Sequence, residues 1–166
     1  MSSLAGSFLV AKHRLQDPNF SRTVVLLLEH TTDGAFGLVV NRPAEVQGLP
    51  FPLYTGGPCE MEGVLILHGH ADWVVPTEQT QGEVAPGILV GDAACLDRVT
   101  DPEPGEVLRF RLFSGYAGWG PGQLEGELAE GTWGVVPATG ELLFDTPAEE
   151  LWDRLAPPPI PQPSVN

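Results

Sequence analysis

Hydrophobic positions along the chain fall into short runs and alternating stretches, a pattern that predicts mainly β-structure. Residues 7–11 form a short apolar strand, and residues 23–28 form a β-branched and aliphatic run typical of a strand buried on both faces. Asp33-Gly34 is a turn pair, and residues 35–40 resume the apolar pattern until Asn41-Arg42-Pro43 stops it. The two longer runs therefore predict a β-hairpin.

The remaining periodic segments predict further strands and short helices. Strands are expected at residues 64–67, 73–75, 88–90, 107–112, 123–128 and 133–136. In the segment 123–128, Leu124 and Leu128 also have the i,i+4 spacing of a helix, but Gly126 is unfavourable in a helix interior, which favours a strand.

Two helices are predicted from capping patterns. Asp92 is expected to cap a short helix over residues 93–99, which ends before Pro102. Thr146-Pro147-Ala148-Glu149 has the pattern of a capping box with proline at the first helical position. Leu151, Trp152 and Leu155 then form the apolar stripe of the last helix, which Pro157 ends.

Together these elements predict an α+β fold with a mainly antiparallel β-sheet, arranged as a sandwich or partly open barrel, and a few short helices. Residues 1–155 are expected to form a single domain, and residues 156–166 a proline-rich, disordered tail. Residues 44–58 are rich in proline and glycine, which predicts an irregular surface connection that could carry function.

The charge of the chain narrows the range of partners. Among 166 residues, 8 are Lys or Arg and 22 are Asp or Glu, a net charge of −14. The basic residues are scattered, so duplex DNA and anionic membranes are disfavoured as partners. No apolar run approaches the roughly 20 residues of a membrane span, and the start of the chain lacks the order of a secretory signal. A cytoplasmic protein is expected, with Cys59 and Cys95 as free thiols.

Familiar catalytic and cofactor motifs are absent from the sequence, and no cofactor is predicted. His68 and His70 could join His30 around a zinc ion, but Gly69 indicates a strand end, which favours a core His68 and an exposed His70. Glu125 and Glu127 would share a face of a strand, as an acid/base pair or, more simply, as two solvated side chains.

Arg22, Asn41 and Arg42 lie at the open end of the predicted hairpin. Because the two strands begin and end there, these side chains are expected to be neighbours. Two guanidinium groups and an amide can hold a carboxylate or phosphate, while the simpler alternative is that they anchor local aspartates and carbonyls.

The segment from Gly115 to Glu125 combines glycines with two amphipathic aromatic residues, Tyr116 and Trp119. Such aromatic residues are favoured at interfaces, because they offer a large apolar body and a polar group. The alternative is a glycine-rich corner that tucks both rings into the core.

A series of short motifs resembles the YqgE/AlgH family in the family's own order. The motifs are Asp17-Pro18 with Phe20, Arg22-Thr23-Val24-Val25, Glu29-His30, Gly34-Ala35, Gly37-Leu38-Val39, Asn41-Arg42-Pro43, Gly56-Gly57-Pro58 and Gly115 to Glu125. The resemblance covers residues 4 to 155 and implies a mainly antiparallel α+β fold in a bacterial cytosolic protein. It implies no established reaction or cofactor, and the family's label of transcriptional regulator comes without a recognised DNA-binding motif. The chain departs from the family pattern at residues 43–56 and 90–92 and in its proline-rich end.

The leading functional hypothesis is a non-enzymatic, regulatory binding module for a small anionic ligand or a protein partner. Its predicted binding residues are Arg22, Asn41, Arg42, Tyr116, Trp119, Gln123 and Glu125, which should be partly exposed and converge. A hydrolase-like enzyme using His30 or His68 with a carboxylate such as Glu29 is the alternative, and direct transcriptional control by DNA binding is the third hypothesis. The sequence leaves the ligand and the oligomeric state open.

Overall fold

A computed structural model describes residues 3–12, 21–44, 53–60, 63–70, 83–91, 99 and 108–156. The fold described below is that of these residues. Several expected features lie outside them, namely the strand at 73–75, most of the helix at 93–99, Cys95 and the C-terminal tail from residue 157. Val99 itself is helical.

The first of two sheets has five strands. In chain order they are β1 (Ser7–Ala11), β2 (Val24–Thr31), β3 (Gly34–Val39), β10 (Ala117–Trp119) and β11 (Trp133–Pro137). Their order across the sheet is β10-β3-β2-β1-β11, and each neighbouring pair is antiparallel. The predicted hairpin is confirmed as β2 and β3, joined at residues 32–33.

The second sheet has six strands. They are β4 (Pro43–Ala44), β5 (Leu53–Thr55), β6 (Leu65–His68), β7 (Glu83–Ala85), β8 (Ile88–Gly91) and β9 (Phe110–Ser114), in the order β4-β5-β9-β6-β8-β7. Strand β5 runs parallel to β9, and the other neighbours are antiparallel. Residues 44–58, predicted as an irregular connection, thus contribute to two short strands, β4 and β5. Strand β4 pairs with β5, and β5 pairs with β9, a partner that the local sequence pattern does not indicate.

Three short helices follow within the described residues: α1 (Gln123–Ala129), α2 (Gly140–Asp145) and α3 (Ala148–Leu155). The strand predicted at 123–128 is therefore wrong. Leu124 is fully buried while Gly126 lies on the exposed side of the helix, so the i,i+4 spacing of Leu124 and Leu128 outweighs the cost of one glycine.

The start of α3 also differs from its predicted capping box. Pro147 is the N-cap of α3, and no side chain of the described residues caps the helix there; Thr146 is instead buried at the end of α2. Helix α2 was not predicted, although Thr139 caps it by accepting a hydrogen bond at its hydroxyl from Leu142 N–H (3.1 Å). The apolar stripe of α3 is confirmed by buried Leu151 and Trp152.

The core lies between the two sheets and continues beneath the helices. Residues 23–27 are completely buried, as expected for a strand covered on both faces. The second sheet is covered on its opposite face as well, where Ile66, Leu112 and Val99 form a smaller apolar cluster. The architecture is an α+β fold of antiparallel and mixed sheets, and in the described residues these sheets do not close into a barrel.

None of the helices that the structure describes is both long enough and apolar enough to cross a membrane.

Candidate functional site

The open end of the β2–β3 hairpin is fixed by the side-chain amide of Asn41. Its Nδ2 donates to the carbonyl of Arg22 (3.0 Å), and its Oδ1 accepts from the N–H of Val24 (2.9 Å). Arg22 has a φ of +57°, a left-handed conformation that is uncommon for a residue with a side chain. Asn41 therefore uses its amide to hold a strained backbone corner.

The two arginines of this corner point in different directions. The guanidinium of Arg22 lies 4.7 Å from the ring centroid of Trp152 and 3.4 Å from a carboxylate oxygen of Asp153, at the surface of α3. Arg42 instead donates from Nη2 to the carbonyl of Ser21 (3.0 Å). The neighbourhood predicted for Arg22, Asn41 and Arg42 is present, and much of its hydrogen bonding is directed at the protein itself.

Arg42 also lines a cleft, which we call the Arg42 cleft. Its larger part, about 390 Å³, is bordered by Leu53, Thr55, Pro58, Cys59, Ser114 and Gly115. A smaller recess of about 70 Å³ contains Arg42 and Val39. The two parts share Thr55, Gly57 and Pro58, so the recess lined by Arg42 adjoins the larger space.

Two glycine-rich segments form one wall of the Arg42 cleft. Cys59 and Tyr116 exchange a pair of main-chain hydrogen bonds, each 3.0 Å long. Next to this pair, Gly57 has a φ of +149°, and a Cβ built on it would lie 2.3 Å from the carbonyl of Tyr116. This approach is possible only without a side chain. Cys59 is a half-buried free thiol.

The aromatic corner after β10 is held by one carboxylate. Glu127 Oε1 accepts from the indole N–H groups of Trp119 (3.0 Å) and Trp133 (2.8 Å). Gln123 donates to Glu127 Oε2 (3.3 Å) and accepts from the N–H of Gly120 (3.0 Å). Trp119 is only 7% exposed. Trp119 and Gln123 thus bind to Glu127 and stabilise the corner. The sequence analysis favoured Glu127 as a solvated side chain next to Glu125, but its carboxylate holds the corner together.

Glu125 lies on the inner side of α1, close to His30. Its Oε2 is 3.5 Å from Nε2 of His30, too long for a strong hydrogen bond, and that buried nitrogen has no hydrogen-bond partner among the described residues. His30 Nδ1 accepts from the N–H of Leu4 (3.0 Å), which ties the segment before β1 to β2. The imidazole is 2% exposed, so a substrate in the described clefts would not reach it.

The other two described histidines are engaged with the backbone. His68 is fully buried and its Nδ1 accepts from the N–H of His70 (3.1 Å). His70 is half-buried, rather than exposed as predicted, and its Nε2 accepts from the N–H of Arg109 (2.9 Å). Among the described residues, no group of three His, Cys, Asp or Glu side chains is placed to hold a metal ion.

A second pocket lies at the closed end of the hairpin, and we call it the hairpin-tip pocket. It measures about 210 Å³ and is bordered by Glu29, Thr31, Asp33, Phe36 and Trp119, with Gly34 and Ala35. Tyr116 packs beside it, with its ring centroid 5.0 Å from that of Phe36.

The seven predicted binding residues therefore do not converge on one cleft. Arg22, Asn41 and Arg42 lie at the open end of the hairpin, while Tyr116, Trp119, Gln123 and Glu125 surround its closed end. Of these seven, Arg42 and Trp119 border the clefts described above. Sequence reasoning missed Thr55, Ser114 and Phe36, because the clefts form between segments that are distant along the chain.

Comparisons with known proteins agree on one family. A family model described as AlgH-like matches residues 8–157. A UPF0301 protein of Streptomyces coelicolor is 40% identical, with 92% of this chain and 84% of the relative covered. One of Chlorobaculum tepidum is 36% identical, with 90% and 83% covered.

Two solved structures are similar over most of their length. The solution structure of the AlgH protein from Pseudomonas aeruginosa has a TM-score of 0.69 at 31% identity and covers 92% of this chain and 87% of its own. A crystal structure of a Corynebacterium diphtheriae protein has a TM-score of 0.74 at 25% identity, covering 97% and 90%.

Proposed function

We propose that this protein, which belongs to the AlgH-like family, is a non-enzymatic binding module of regulatory role that takes a small anionic ligand in the Arg42 cleft. The observation that carries the proposal is the position of Arg42, which lines a recess adjoining a concave space of about 390 Å³. A concave site with apolar walls and a few convergent polar groups is the usual form of a small-molecule site.

The walls of the cleft supply chemistry for such a ligand. Leu53 and Ala44 offer apolar surface, and the hydroxyl groups of Thr55 and Ser114 offer hydrogen bonds. A guanidinium group matches a carboxylate in shape and charge. Glu60 borders the larger part of the cleft but not the recess of Arg42. Because its negative charge repels further anionic groups there, a ligand with one or two carboxylates is favoured over a polyanion.

The hydrolase alternative receives less support from the geometry. It needs a histidine beside an acid in an accessible cleft. Among the described residues, no histidine lines the Arg42 cleft or the hairpin-tip pocket, and the imidazole of His30 beside Glu125 is buried. Direct DNA binding is opposed by the net charge of −14.

Binding of succinate to the full-length protein tests the proposal. Titration followed by NMR should give saturable shifts of the amides of Thr55, Gly57 and Ser114, and the uncharged analogue succinamide should bind more weakly. Substitution Arg42→Gln, which keeps a donor for the carbonyl of Ser21, should weaken succinate binding roughly tenfold, because a charge-assisted hydrogen bond is lost.

The matched control is Arg154→Gln on the exposed surface of α3, which should leave the affinity unchanged. Equal binding by the Arg42→Gln variant and the unmodified protein would remove the cleft from consideration. So would the absence of shifts around the cleft with both succinate and inorganic phosphate.

A further inference from the structure

The hairpin-tip pocket carries negative charge that none of the described residues neutralises in an ion pair. Glu29 and Asp33 are exposed at its rim, and within the part of the chain that the structure describes neither forms an ion pair. Elsewhere, Arg22 is paired with Asp153 and Arg109 with Asp145. The rim therefore adds an uncompensated local charge to a chain that is acidic throughout.

Aromatic surface lies directly beside these carboxylates. Phe36 borders the pocket, and Tyr116 extends the aromatic surface through its contact with Phe36. Carboxylates next to aromatic faces suit a lysine or arginine side chain, because the alkyl stem packs on the ring and the charged end reaches the acids.

The outer edge of strand β10 offers main-chain hydrogen bonds next to the pocket. Tyr116 uses its N–H and C=O to bond Cys59, on the side away from β3. Because main-chain groups alternate along a strand, Gly118 points its N–H and C=O to the same outer side. Gly118 is exposed, and no described residue bonds these two groups. Because Gly118 itself has no side chain, its main chain is accessible to an extended segment that pairs there.

A second copy of the protein is disfavoured as the occupant of this acidic surface, since two chains of charge −14 repel each other. An acidic segment is excluded for the same reason. We propose that the hairpin-tip pocket and the edge of Gly118 form a docking surface for an extended basic segment of a partner protein. Gly118 pairs with the main chain of that segment, and a lysine or arginine side chain enters the pocket between Glu29, Asp33 and Phe36. This surface is separate from the Arg42 cleft and does not depend on it.

The test uses the full-length, isotope-labelled protein and the peptide acetyl-Thr-Val-Arg-Val-Thr-amide, titrated at low salt. We expect saturable NMR shifts at the amides of Gly34, Phe36 and Gly118. The same peptide with citrulline in place of arginine, which keeps the shape and loses the charge, should bind roughly tenfold more weakly.

Variants separate the pocket from general acidity. The double substitution Glu29→Gln and Asp33→Asn should weaken binding of the arginine peptide roughly tenfold. Both side chains are exposed, and the turn is held by the N–H of Asp33 bonding the hydroxyl of Thr31 (3.1 Å), so the fold is retained. The control Glu149→Gln with Glu150→Gln removes two exposed charges from α3 and should leave binding unchanged.

Three results would overturn the proposal. They are equal binding of the arginine and citrulline peptides, equal weakening by the two double variants, and no shift at the hairpin tip at millimolar peptide. The Arg42→Gln variant should bind the peptide normally, so this proposal and the proposed function can fail independently.

Discussion

At the scale of single residues, close backbone contacts set the shape of the Arg42 cleft. Gly57 packs its Cα against the main chain of Tyr116 and Ala117, and a Cβ at this position would lie 2.3 Å from the carbonyl of Tyr116 and 2.6 Å from the nitrogen of Ala117. Neither atom belongs to a flexible side chain. The wall of the cleft therefore depends on a residue that contributes no functional group.

Substitution Gly57→Ala should lower the free energy of unfolding by about 3 kcal/mol, because it combines strain at a φ of +149° with a backbone clash. Urea denaturation followed by tryptophan fluorescence measures the loss. Gly63→Ala is the matched control, because Gly63 also has a positive φ (+74°) but no atom of the described residues within 4 Å of a built Cβ. Its cost should be about 1 kcal/mol. Similar losses in the two variants would show that the contact at Gly57 is unimportant.

At the scale of elements, helix α1 forms against the preference of one of its residues. Gly126 lies in its interior, yet Leu124 is buried and Glu127 accepts hydrogen bonds from two tryptophans across the corner. Packing and hydrogen bonding therefore override intrinsic propensity here.

Substitution Gly126→Ala should raise the free energy of unfolding by about 0.5–1 kcal/mol, because alanine gains helix propensity and a Cβ here meets open space. Thermal and urea denaturation both measure the gain. Gly122→Ala provides the contrast: its Cβ also meets open space, but its φ of +75° makes alanine unfavourable at this N-cap. Stabilisation by both variants, or by neither, would contradict this account.

Local signals explain which elements could be predicted. The hairpin was predictable because Asp33-Gly34 and two apolar runs are adjacent in sequence, and with it the contact of Arg22 with Asn41. Strand β5 was not predictable, because its partner β9 lies more than 50 residues further along the chain. The Arg42 cleft depends on that pairing and could not be foreseen. The corner around Glu127 was also missed, because residues 123–128 were predicted as a strand. A strand would have turned the carboxylate of Glu127 away from the two indoles.

At the scale of the whole molecule, the excess of acidic residues opposes compactness. The 22 acidic side chains face only 8 Lys and Arg, so mutual repulsion is partly uncompensated. Dissolved ions screen exposed charges, with a Debye length of about 30 Å at 0.01 M and about 8 Å at 0.15 M ionic strength.

Raising sodium chloride from about 0.01 M to about 0.15 M should therefore increase the Tm of the protein by a few degrees. Differential scanning calorimetry measures the change, and choline chloride at the same concentrations should act equally if screening is the cause. A Tm that is constant or falls, or a response to sodium alone, would contradict the interpretation.

Strand β1 lies between β2 and β11, and the indole N–H of Trp152 reaches back to the carbonyl of Ala11 (2.8 Å). On the ribosome, β1 can pair with β2 soon after both are made, but its other edge waits for the roughly 120 residues between Ala11 and Trp133. At about 5–20 residues per second, this delay lasts roughly 6–24 seconds. During that time an apolar strand edge is open to wrong pairing, so a newly made chain depends on its last quarter, or on a chaperone, to escape aggregation.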